Sequence, residues 1–96
     1  VANLASRIAI PDDVLFRDLE GEAVILSTES GRYYGLDEVG TRMWNLLSQH
    51  GQIEPVYQAL LAEYDVAEDR LQQDLLDLVD KLAAEGLLQV DGPQDS

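Results

Sequence analysis

Residues 23–36 hold two short β-forming runs separated by a three-residue turn, and that pairing limits what the rest of the chain can build. Ala23-Val24-Ile25-Leu26-Ser27-Thr28 is aliphatic and β-branched, the composition of a strand. Glu29-Ser30-Gly31 supplies a hairpin loop, with Gly31 free to take the positive φ that such loops need. Arg32-Tyr33-Tyr34-Gly35-Leu36 is the return strand. A period of two sets Tyr34 and Leu36 on one face and Tyr33 and Gly35 on the other. Leu36 leads directly into a helix, so its face is the core face. Gly35 then marks a place where a second backbone can come close. The return strand reads as an edge that accepts a peptide.

Upstream, Val14-Leu15-Phe16-Arg17-Asp18-Leu19 is a further strand, opened by the turn residues Pro11-Asp12-Asp13 and closed by Glu20-Gly21-Glu22. Three strands joined by tight turns make an antiparallel meander. Such a sheet has one apolar face and does not persist alone in water, so helices must cover it. Residues 1–10 carry no clear period and read as a loosely ordered arm.

Three helices follow. Asp37 is a good N-cap, and Glu38 in the first turn suits the positive end of the helix dipole. Val39, Met43, Leu46 and Leu47 form its apolar stripe, Trp44 stands beside them as a core anchor, and His50-Gly51 closes it. Pro55 fits the first turn of a second helix striped by Tyr57, Leu60, Leu61 and Tyr64. The third helix covers residues 67–85, with Leu71, Leu75, Leu78, Val79 and Leu82 toward the core. Gly86 ends it, Leu87 folds back on its last turn, and Leu88-Gln89-Val90 adds a short extended piece. The expected fold class is α+β: a winged-helix-like domain over residues 11–90, a three-stranded antiparallel meander followed by three helices. Residues 91–96 read as a mobile tail.

Composition excludes whole classes of function. Six Lys and Arg against nineteen Asp and Glu give a formal net charge of −13, which repels phosphate backbones and anionic membranes. Winged-helix relatives that enter DNA do so through a helix, but here the third helix carries Glu68, Asp69, Asp74, Asp77, Asp80 and Glu85 against Arg70 and Lys81. Neither nucleic acid nor a membrane is an expected partner. No apolar run is long enough to span a bilayer, and the N-terminus, with only Arg7, lacks the pattern of a signal peptide. With no cysteine and a single histidine, His50, set at a helix end, the inventory of nucleophiles, bases and soft metal ligands is nearly empty. Asp74 and Asp77, or Asp77 and Asp80, share a helical face, but so do the acids of any solvated helix. No glycine spacing matches a phosphate loop. The expectation is a non-catalytic binding module, without metal or cofactor, at home in the cytoplasm.

The series Val14-Leu15-Phe16-Arg17, Ala23-Val24-Ile25-Leu26, Gly31-Arg32-Tyr33-Tyr34-Gly35-Leu36-Asp37, Trp44 and Glu85-Gly86-Leu87 resembles the PqqD-like proteins over roughly residues 10 to 90. The most specific part is Tyr-Tyr-Gly-Leu-Asp followed seven residues later by Trp44. These are recognition elements of pathways that modify ribosomally made peptides (RiPPs). Within the family the chain most resembles the stand-alone leader-binding proteins of lasso-peptide pathways. The resemblance implies that a precursor leader peptide adds as a strand beside the third strand of the meander, in a groove against the third helix. Carried over by position, the strand wall is Arg32, Tyr33, Tyr34 and Gly35. The helix wall is Asp69, Gln72, Gln73, Leu75, Leu76 and Val79, with Leu76 off the core stripe and Asp69 at the rim. The implied partners are a leader peptidase and a cyclase or, in pathways such as that to pyrroloquinoline quinone, a radical SAM maturase. Two other readings fit the residues: a winged-helix regulator acting through protein partners, and a structural subunit that masks an interface.

Overall fold

The computed structural model describes residues 3–20 and 22–91. Its elements run β1 (Arg7–Ala9), β2 (Val14–Leu19), β3 (Glu22–Ser27), β4 (Tyr33–Leu36), α1 (Glu38–His50), α2 (Ile53–Glu63), α3 (Glu68–Ala84) and β5 (Gln89–Asp91). Strands β2, β3 and β4 pair in that order as the antiparallel meander, and the three helices follow it. The register sets Leu15, Leu26 and Tyr33 in one row across the sheet and Phe16, Ile25 and Tyr34 in the next. Because side chains alternate, the first row faces away from the helices and the second faces them. Ala23, Ile25 and Leu36 are accordingly buried.

Helix α1 forms where the sequence places it. The Asp37 side chain accepts a hydrogen bond from the Gly40 backbone N–H at 2.8 Å, and Gly51 ends the helix in the left-handed region at φ 70°. Trp44 is buried and stacks on Phe16, ring centroids 6.4 Å apart, which ties α1 to the inner face of β2. Helix α2 begins two residues before Pro55, whose missing N–H falls among those a first turn leaves unpaired. Leu47, Ile53, Val56, Leu60, Leu75, Val79, Leu82 and Leu87 are wholly buried and make the centre of the core.

The N-terminal segment differs from the expectation of a loose arm. Residues 7–9 form β1, which pairs antiparallel with β5 and buries Ile8. Asp91, placed in the tail by sequence, is the last residue of β5. The physical reason is pairing across the whole domain: Ile8 has Val90 opposite it and also donates its backbone N–H to Gly51. Residues 1–2 of the expected arm and 92–96 of the expected tail lie outside the described residues.

Candidate peptide-binding cleft

The edge of β4 follows from the hydrogen-bond phase of the meander. Ser27 donates its backbone N–H to the Arg32 carbonyl, which makes that pair a hydrogen-bonded one. Antiparallel pairs alternate, so Tyr34 and Leu36 turn their backbone groups inward to β3, while Tyr33 and Gly35 turn theirs outward. Among the described residues no strand pairs with that outer side. Tyr33 and Gly35 therefore present two N–H donors and two C=O acceptors along an open edge. Tyr33 is 71% exposed. A Cβ built on Gly35 meets nothing within 4 Å, so internal packing does not require a glycine there.

Beside this edge lies a cleft of about 380 Å³. Tyr34, Gly35, Leu36 and Asp37 form one wall, Val39, Gly40 and Met43 of α1 lie at its end, and Asp74 and Leu78 of α3 form the opposite wall. The lining is mixed: aliphatic and aromatic surface with two carboxylates, Asp37 and Asp74. Asp37 is engaged as the α1 cap, and Asp74 stands 3.7 Å from the Arg70 guanidinium in an exposed pair. At the hairpin end, Arg32 donates to Glu85 at 2.8 Å and so joins the start of β4 to the end of α3.

The structure brings some of the expected residues together and not others. Tyr34 and Gly35 line the cleft, Tyr33 lies on its edge strand, and Arg32 spans from that strand to α3. Leu75 and Val79 are wholly buried in the core. Asp69, Gln72, Gln73 and Leu76 do not line the cleft. The exposed Asp69 carboxylate accepts from the Arg70 N–H and exposed Gln73 donates to Asp77, while Gln72 and Leu76 are half-buried on the other flank of α3. With 3.6 residues per turn, Leu75 and Val79 mark the core line; Asp74 and Leu78 fall on one side of it and Gln72 and Leu76 on the other. Sequence reasoning put Val39, Met43 and Leu78 in core stripes and read Asp74 as a surface acid. The available signal was stripe width: Val39 on α1 and Leu78 on α3 stay partly open at the edge of their apolar stripes, and both line the cleft, whereas Met43 is buried as its stripe predicts.

The comparisons with known proteins bear on this arrangement directly. The family model "Coenzyme PQQ synthesis protein D (PqqD)" matches residues 22–88, more than half of the chain. The chain belongs to the PqqD family. Among solved structures, a chain of "TbiB1 in Complex with the TbiA(beta) Leader Peptide" is 38% identical, with a TM-score of 0.78, covering 83% of this chain and 93% of that one. A second, "Lasso peptide synthetase B1 complexed with the leader peptide", shares the PqqD-like fold at 22% identity, with a TM-score of 0.77 and coverage of 86% and 98%. No curated protein matches the chain. The matched region of this PqqD-family chain contains β3, β4 and all three helices, and hence every element that forms the cleft.

Proposed function

We propose that this PqqD-family chain is the leader-binding protein of a lasso-peptide pathway, and that it takes the leader as a fourth strand on the outer edge of β4. The observation that carries the reading is the open edge at Tyr33 and Gly35 beside a partly apolar cleft, in a chain 38% identical to a protein solved with its leader peptide. The binding residues are Tyr33, Tyr34 and Gly35 on the strand, with Asp74 and Leu78 taking the place on α3 that position alone gave to Asp69, Gln72, Gln73 and Leu76. The protein acts without catalysis or cofactor, in the cytoplasm. It hands the bound precursor to a leader peptidase and a cyclase.

Magnitudes show which contacts must carry the affinity. Four backbone hydrogen bonds at about 1 kcal/mol each give about 4 kcal/mol. Two buried apolar anchors add about 1.5–3 kcal/mol apiece. Ordering a flexible leader takes back about 2–5 kcal/mol, besides the general cost of association. These figures leave about 2–8 kcal/mol before the cost of association, so micromolar binding, about 8 kcal/mol, requires the apolar anchors at the top of their range.

Gly35→Pro supplies the test. The N–H it removes points outward, so the β3–β4 ladder keeps its bonds, as prolines on edge strands allow. Titrating the fluorescently labelled TbiA(beta) leader, and the leader of the precursor encoded with this chain, is expected to give low-micromolar binding that Gly35→Pro weakens about tenfold. Equal affinity for the two proteins, with unchanged melting temperatures, rules out strand addition at β4.

A further inference from the structure

The fold itself gives no reason for Gly35. Its backbone is not left-handed, unlike that of Gly31, Gly51 and Gly86, and a Cβ there meets nothing within 4 Å. A glycine inside a strand is then only a cost in chain entropy. Pairing at the edge does not require it either. A side chain at Gly35 would stand out of the sheet plane, on the face away from the helices, whereas an added strand approaches within the plane. What it would obstruct is the outer face. There, across β4 from the cleft interior, lies an open recess of about 300 Å³ with a mainly apolar surface. Leu19, Val24 and Gly35 line it, and Glu22 and Asp37 supply its carboxylates.

Resting on strand addition at β4, we propose that this outer recess is a selectivity site: the peptide residue opposite Gly35 lays one aromatic side chain across the glycine onto Val24. Register decides the occupant. Directly paired residues point to the same face of a sheet whichever way the added strand runs, so the residue opposite Gly35 shares the outer face. Its row reads Arg17, Val24, Gly35 and then the peptide. Val24 lies two strand spacings, about 10 Å, from the added strand. A large ring makes contact over that distance only because no side chain stands on β4 between them. An aromatic ring laid over a strand glycine also covers backbone that the glycine leaves bare. Tyr33, two residues earlier on the same face and largely exposed, stands beside that place. Glu22 and Asp37 turn away an acidic side chain. The peptide is thereby read on both faces of β4, in the cleft by the residue opposite Tyr34 and on the outer face by the residue opposite Gly35.

The test selects peptides from a random displayed library on the wild-type protein. Each peptide and its single-alanine variants are then titrated against wild type, Gly35→Pro, Gly35→Val and Val24→Thr. Gly35→Val keeps the backbone N–H, suits a strand and has room for its Cβ, so it is expected to melt at or above the wild-type temperature. Selected peptides are expected to lose affinity on Gly35→Pro and, about tenfold, on Gly35→Val. One aromatic peptide residue accounts for the second loss. Replacing it with Ala weakens binding to wild type about tenfold, yet has little further effect on Gly35→Val. Val24→Thr, which keeps the shape of the side chain but adds a hydroxyl, lowers the affinity of the parent peptide about threefold and leaves that of this alanine variant unchanged. Peptides that need the β4 edge but bind Gly35→Val as tightly as wild type overturn the outer site and leave strand addition standing. A loss on Gly35→Val and Val24→Thr that the parent and every alanine variant share equally marks a disturbed sheet, and overturns it as well. If no selected peptide is weakened by Gly35→Pro, strand addition falls, and the outer site falls with it.

Discussion

At the scale of single residues, neighbouring positions on α3 have divergent duties. Leu75 is wholly buried, Leu76 half-buried off the cleft, and Leu78 lines the cleft. Leu75→Ala is expected to cost about 2–5 kcal/mol of stability by chemical denaturation. Leu78→Asp is expected to weaken leader binding strongly with a smaller loss of stability, whereas Leu76→Asp leaves affinity near wild type. If Leu76→Asp weakens binding and Leu78→Asp does not, the peptide lies on the flank of α3 first inferred from the resemblance. Glu20 offers an independent check on the backbone. It holds a left-handed φ of 56° at the β2–β3 connection, which a non-glycine residue enters at a cost. Glu20→Asn is expected to stabilise the fold by about 0.5 kcal/mol, read from the denaturant midpoint.

At the scale of elements, the meander and α1 were legible because their signals are local. Period-two alternation, a short turn ending in glycine, and an Asp cap before an amphipathic run each fix structure within a few residues. The β1–β5 pair was not legible, since three residues carry no measurable period and Arg7 meets Asp91 only across the whole domain. The strand wall of the cleft was readable for the same reason as the hairpin: alternation decides which side of β4 each residue faces. The helix wall was not, because a stripe gives the direction of the core but not which flank a sheet edge will approach. Asp13 illustrates a tie between elements that sequence does not reveal. Its carboxylate accepts from the Ser27 hydroxyl and from the Glu29 N–H, so it fastens the β1–β2 connection to the end of β3 and the hairpin. The Ser27 bond holds the Asp13 pKa below its ordinary value.

At the scale of the whole molecule, the net charge of −13 sets how stability responds to acid. Lowering the pH from neutrality first relieves self-repulsion, which favours the compact state. Asp13, held low by Ser27, and Glu63, held low by its paired Arg42, act in the opposite sense further down. A carboxylate with a depressed folded pKa contributes stability that is fully present above its unfolded value. That contribution is lost as the pH falls through the folded one. The melting temperature is therefore expected to rise from pH 7 to about 5 and to fall below about 4, with the acid limb shallower in Ser27→Ala. A melting temperature that climbs steadily to about pH 3 shows that self-repulsion outweighs both pairs.

The β1–β5 pairing has a practical corollary for engineering. Arg7 stands opposite Asp91, so the first and last strands lie one inter-strand spacing apart, about 5 Å. A few flexible residues therefore suffice to join them. New termini opened in the solvent-exposed stretch around Asp65, between α2 and α3, would give a circular permutant with the same packing.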